Sequence, residues 1–117
     1  MDHKEMNVWY KGMDLVERIY IISNEFPSEE TYGLKNQISR AAVSVPSNIA
    51  EGAARKGNKE FLQFINIALG SLSEVETQYL LAMRLGYSKE DKELDELIVS
   101  VRKLLLGTRN YIRKTNA

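Results

Sequence analysis

The chain contains no cysteine. Disulfides and thiolate metal sites are therefore excluded. It has a single histidine, His3, in 117 residues. Without a second one, the paired Glu-x-x-His motifs of a di-iron bundle and the His-containing zinc motifs lack their ligands. No metal and no other cofactor is expected. Net charge is also missing, since 16 Lys and Arg balance 16 Asp and Glu. That argues against a protein that coats DNA by cationic charge alone, while leaving room for a local basic stripe. No apolar run approaches the roughly 18 residues of a membrane span, so no membrane partner is expected. The start, Met1-Asp2-His3-Lys4-Glu5, is too polar for a signal peptide, and the expected location is cytoplasmic. Two prolines and seven glycines leave long stretches free to be helical.

What is present is a core and a helical rhythm. Hydrophobic residues make up 44% of the chain, and its length suits one domain over residues 1–117. Four helical segments are expected, at roughly 7–26, 28–56, 58–85 and 88–114. In the first, Val8, Leu15, Ile19, Ile22 and Phe26 follow helical spacing until Pro27 stops it. In the second, Leu34, Ile38, Ala41, Ala42, Val45 and Ile49 share one face. Pro46 lies in its middle, and the periodicity continues in phase through it. One helix kinked at Pro46 is therefore expected rather than two helices. Phe61, Ile65, Ala68, Leu72, Val75, Tyr79 and Met83 give the third segment a heptad-like core face. Leu94, Leu97, Ile98, Val101, Leu104, Leu105 and Ile112 form the stripe of the fourth. Ser28 and Asn58 suit N-caps, Gly57 and Gly86 suit helix ends, and Ser88 with Asp91 resembles a capping box. Short connections make the fold all-α, an antiparallel up-down-up-down four-helix bundle.

Three surface features stand beside that core. On the second helix, Arg40, Ser44, Asn48, Glu51 and Arg55 form a polar stripe. Glu51 and Arg55 are spaced i,i+4 with the acid first, the favourable order. Ser39, Val43, Ala50 and Ala54 make a separate face of small or short residues. On the third helix, Glu76 falls at about 60° on a wheel with Phe61 at zero, between Ile65 and Leu69. A carboxylate inside an apolar stripe is costly unless paired. Arg40, from the same or a neighbouring subunit, is the candidate partner, and the alternative is that Glu76 reaches to the rim. The apolar residues of this helix also exceed what a bundle helix needs. They spread over about 160°, with Ile67 and Leu81 beyond that arc. On the fourth helix, Arg102, Arg109 and Arg113 lie within about 40° of one another, flanked by Lys103 and Lys114. These five are candidate nucleic-acid contacts. The alternative is ordinary complementation of a helix C-terminus by positive charge. The run Gly52-Ala53-Ala54-Arg55-Lys56-Gly57-Asn58-Lys59 is a near miss to a P-loop, with Asn58 at the lysine position and no preceding strand.

The stretches Phe26-Pro27-Ser28-Glu29-Glu30, Tyr32-Gly33-Leu34, Gln37-Ile38-Ser39-Arg40-Ala41-Ala42 and Ser44-Val45-Pro46-Ser47-Asn48-Ile49-Ala50-Glu51-Gly52 resemble the bacterial four helix bundle protein family. Phe61, Phe64, Ala68 and Gly70-Ser71-Leu72 with Glu74 continue the pattern. Members are also called intervening-sequence proteins, because some are encoded within large-subunit ribosomal RNA genes. A related barrel is the accessory protein of diversity-generating retroelements, which is associated with nucleic acid. The resemblance implies a homo-oligomeric ring, a pentamer, and no settled activity.

On this reading Arg40, Ser44, Asn48, Glu51, Arg55, Glu74 and Glu76 are candidates for a polar subunit interface. A solvated helix face is the plainer alternative. The expected function is that of a non-enzymatic, ring-forming binding or scaffold module with RNA or DNA as a partner. The alternative is a structural oligomer with a protein partner. An enzyme using Arg40, Glu51 and Glu74 is the remote third reading. A clustered basic surface favours nucleic acid, and an exposed apolar patch favours a protein. A deep pocket of carboxylates with strongly shifted pKa favours an enzyme.

Overall fold

The computed structural model describes residues 2–115. Met1, Asn116 and Ala117, the ends of the expected domain, lie outside the described residues. Four helices carry the fold: α1 Asn7–Ser23, α2 Leu34–Ala53, α3 Asn58–Arg84 and α4 Lys92–Thr115. Short 3-10 turns at His3–Glu5 and Ser28–Glu30 precede α1 and α2. The helices form an antiparallel bundle measuring 48 × 25 × 20 Å. Each packs on its neighbours in sequence, and α4 closes the square against α1. The diagonal pairs, α1 with α3 and α2 with α4, make no close approach.

The core is the set of apolar stripes turned inward. Leu15 and Ile19 of α1, Ile38, Val45 and Ile49 of α2, Ile65, Leu72 and Val75 of α3, and Leu94, Val101 and Leu105 of α4 are fully buried. Pro46 does not divide α2, which is one continuous helix. The proline ring lacks an N–H, so the Ala42 carbonyl loses its usual donor. What it gains is contact: Pro46 is buried against Gly12 of α1, where an added Cβ would sit 3.4 Å from the Pro46 Cβ. At the other end of α2, Gly52 brings the backbone close to Phe61 and Phe64 of α3.

The element boundaries depart from expectation where local hydrogen bonding wins. The first helix ends at Ser23 rather than Phe26, because its last turn tightens through Glu25 N–H to Ile22 and Phe26 N–H to Ser23. Phe26 is still buried, its ring tilted against Tyr87 at 6.1 Å. The second helix starts at Leu34 rather than near Ser28. Glu30 sets that start: its Oε1 accepts from the Leu34 N–H at 2.9 Å, and its Oε2 accepts from the Tyr87 hydroxyl at 3.1 Å. The same helix ends at Ala53, three residues before the expected end. Gly57, with φ −117° and ψ 148°, precedes α3 as its extended N-cap, and Asn58 is the first helical residue. The N-cap of α4 is Asp91 rather than Ser88, with Asp91 Oδ1 accepting from the Leu94 N–H at 2.8 Å. Gly86 ends α3 at φ +78°. Its N–H bonds the Met83 carbonyl and the Tyr87 N–H bonds the Ala82 carbonyl, the paired bonds of a Schellman motif.

Candidate functional site

The polar stripe of α2 meets α3 along an open groove of about 370 Å³, lined by Gln37, Arg40, Ser44, Ser71, Glu74 and Gln78 among others. Its floor is hydrogen-bonded. The Ser44 and Ser71 hydroxyls are 2.8 Å apart, and the Asn48 amide donates to the Ser44 carbonyl at 2.7 Å and to its hydroxyl at 2.9 Å. Its walls are not. Arg40 and Glu74 are exposed, and neither has an ion-pair partner among the described residues. Gln78 Oε1 is buried without a hydrogen-bond partner. Further along α2, Glu51 and Arg55 pair at 2.9 Å, and the Arg55 guanidinium lies 4.9 Å from the centre of the Phe64 ring. The structure thus brings Arg40, Ser44 and Glu74 together and places Glu51 and Arg55 at the other end of the same face.

Glu76 does not belong to that face, and within the chain it does not pair with Arg40. It projects toward α4 and accepts from Arg102 at 2.9 Å. The physical reason is the order of helices around the bundle: α2 flanks one side of α3 and α4 the other, so Arg40 and Glu76 are separated by α3 itself. The partner of a half-buried acid on α3 is thereby the first arginine of the α4 stripe.

This pairing also divides the five basic candidates. Arg102 is engaged by Glu76. Lys103 is exposed toward α1, lining an α1–α4 groove of about 600 Å³ with Tyr10, Lys11 and Asp14. Arg109 is half-buried, its Nε enclosed without a partner. Arg113 and Lys114 are exposed at the end of the bundle. There they approach the start of α3, where the Asn58 amide donates to the Thr115 hydroxyl at 3.1 Å. Arg55, Lys56 and Lys59 lie in or beside the same turn. Charge is therefore sorted along the bundle. Residues 2–15, 44–71 and 104–115, which make up this half, hold eight Lys or Arg and five Asp or Glu. Residues 16–43 and 72–103, the opposite half, hold eight and eleven.

Among the described residues, an ionic cluster that the sequence pattern does not reveal locks the acidic end. Arg18 of α1 donates through Nε to Asp91 Oδ1 at 3.0 Å and through a second nitrogen to Oδ2, with Glu93 3.1 Å away. Hydrogen bonds from Arg18 hold the Asp91 carboxyl below its ordinary pKa. Burial raises Tyr79, whose hydroxyl oxygen accepts from the Asp91 N–H at 2.6 Å. The hydrogen bond to Glu30 raises Tyr87. The available signal was Asp91 as a cap residue; its reach across to α1 has no sequence signature. These shifted groups hold helix ends rather than face a groove. Among the described residues, no three His, Cys, Asp or Glu are grouped to hold a metal ion, and no helix is long and apolar enough to cross a membrane.

Two further surfaces lie outside the grooves. One runs along α1 and α2, where the Gly12–Pro46 contact sets the register. Trp9, Met13, Val16 and Tyr20 line its α1 side, and Ser39, Val43, Ser47 and Ala50 its α2 side. Met13, Tyr20 and Val43 are 40%, 50% and 40% exposed. The other is the outward side of α3. Gln63, Asn66, Gly70, Ser73 and Thr77 are all exposed there beside Ile67, Leu80 and Leu81, and the exposed Lys59, Glu74 and Arg84 share the same side.

The sequence profile described as 23S rRNA-intervening sequence protein matches residues 4–107. Among solved structures, the chain is similar to a crystal structure of a protein of unknown function from the S23 ribosomal protein family of Bacteroides thetaiotaomicron. The TM-score is 0.81 at 23% identity, covering 94% of this chain and 99% of that one. No curated protein matches.

Proposed function

The chain belongs to the 23S rRNA-intervening sequence protein family, and we propose that it acts as a non-enzymatic, self-assembling scaffold subunit that closes into a ring. One observation carries this reading. The apolar excess of α3 stays on the surface of the single chain, with Ile67, Leu80, Leu81 and Leu85 between 44% and 51% exposed. Apolar surface of this kind marks a protein contact, and identical copies are the commonest partner. A ring of five follows the resemblance noted in the sequence. The grooves are open and the one lowered carboxyl is occupied by Arg18, so the site chemistry supports binding rather than catalysis. Sedimentation equilibrium at micromolar concentration should give a single closed oligomer. Paired Ile67→Lys and Leu81→Lys substitutions should return it to a folded monomer. A wild-type chain that stays monomeric overturns the proposal.

A second reading, nucleic-acid binding, is favoured by the charge sorting. Ring closure would place the Arg113 and Lys114 ends of all subunits on one rim, giving a field that a neutral subunit lacks. Binding would rest on phosphate contacts and be steeply salt-dependent. Three neutralised phosphates give a log–log slope of about −2.7 on duplex DNA. Arg113→Glu with Lys114→Glu, assembly unchanged, should abolish binding. Equal binding by both proteins at low salt removes this reading.

A further inference from the structure

We infer that the seam between α1 and α4 is a docking trough for one amphipathic helix of another protein, a helix with its lysines or arginines gathered at one end. The inference stands whether or not the chain forms a ring. Open cavities of about 450, 600 and 390 Å³ follow one another along this seam. Lys11, Asp14 and Ser100 line both the first and the second. Asn7, Lys103 and Leu104 line both the second and the third, so the cavities join end to end. From Glu93 to Tyr111 the trough follows α4 for about 27 Å, the length of a helix of about 18 residues. Half-buried Met6, Leu97 and Leu104 give it an apolar floor. Tyr10, Ile21 and Tyr111 stand beside it, between 54% and 60% exposed. An apolar floor of this length between two helices is what a helix-in-groove partner fills with its own apolar face.

Charge names the kind of helix. The Glu93 end of the trough holds Asp14, Glu17 and Glu96, none with an ion-pair partner among the described residues. The arginine at that end, Arg18, is already taken up by Asp91 and Glu93. The Tyr111 end holds Lys103 and Glu5, one of each sign. Complementarity therefore asks for cations over the Glu93 end and none in excess over the other. Phosphates laid along the trough would meet the same unpaired carboxylates, which disfavours a nucleic acid. Each helix of the chain buries its apolar stripe in its own bundle, so none is free to enter the trough of a neighbouring copy. Gly107 of α4 lies in the third cavity, and a Cβ there would meet nothing within 4 Å. Glycine is unfavourable in a helix interior. No contact within the chain accounts for this one, and close approach of a docked helix does.

The probe is a fluorescein-labelled synthetic helix of about 18 residues, with leucines along one face and lysines clustered at one end. Its counterpart carries glutamates in place of the lysines. Fluorescence anisotropy should show the lysine peptide binding the full chain. The glutamate peptide should bind about tenfold more weakly, the worth of two or three exposed charge pairs. Glu17→Lys with Glu96→Lys, both exposed positions, should reverse that preference. Gly107→Trp fills the third cavity without displacing a neighbour, and it should abolish binding of both peptides while circular dichroism stays unchanged. Equal affinity for the two peptides, or binding of neither, overturns the proposal. So does binding that survives both variants, because the peptide then sits elsewhere. Displacement of the lysine peptide by a single-stranded oligothymidylate makes the occupant a nucleic acid. A change in sedimentation size on Gly107→Trp makes it a second copy. Either result also overturns the proposal.

Discussion

Gly52 shows how little room a helix crossing leaves. A Cβ at this position would lie 2.8 Å from the Phe64 Cβ and 2.8 Å from the Phe61 ring. The Phe64 Cβ is fixed to the α3 backbone, so α2 must move away from α3. Gly52→Ala should cost about 1–3 kcal/mol in urea denaturation despite the better helix propensity of alanine. Asp91 is the second residue whose environment sets a measurable outcome. It caps α4 and takes both donors of Arg18. Asp91→Ala should cost about 2 kcal/mol, the cap and a charged hydrogen bond together. Asp91→Asn keeps the cap and should cost less. The folded pKa of Asp91 lies below its unfolded value, so its contribution is complete above a pH of about 4 and is lost as the pH falls through the lower folded value. The wild type should therefore lose stability more steeply than Asp91→Asn in acid, with the two curves converging at the lowest pH.

The four helices were legible because each carries an apolar stripe at helical period, and a stripe survives errors at its ends. The ends were not. Pro27 suits the stop of α1 and Ser28 the cap of α2, yet the Glu30 side chain accepts from the Leu34 N–H and α2 starts there. Such a bond depends on how the loop folds back, which periodicity does not encode. Site residues within one helix were likewise readable: Glu51 with Arg55 pairs as the i,i+4 rule requires. Pairs between helices were not, because a wheel gives the angle of Glu76 on α3 but not which neighbour occupies that side. Gly86 is a case where the local rule sufficed. Its φ of +78° is left-handed, a region that costs a residue with a Cβ about 1–2 kcal/mol. Gly86→Ala should lower stability by that amount, and the amide of Tyr87 should lose protection from hydrogen exchange as the paired bonds at the end of α3 loosen.

For the whole molecule, a net charge of zero hides the arrangement of 32 charged side chains. The bundle is antiparallel, so helix dipoles largely cancel in pairs, but the side chains are sorted: the half containing the α2–α3 turn is positive and the other half negative. Over a body 48 Å long, several times the Debye length of about 8 Å at physiological ionic strength, the two halves act on their surroundings independently. In dilute buffer they act together, as a rod with a permanent electric moment. Transient electric birefringence should show the protein turning to follow a reversed field, with an initial lag characteristic of a permanent rather than an induced moment. Reversing the sign at one end through Arg113→Glu and Lys114→Glu should shorten that lag. In the proposed ring, with the rods set along its axis, every rod points the same way, so the moments add and the two openings of the ring become chemically unlike. Anything that threads or stacks on it would meet a defined front and back.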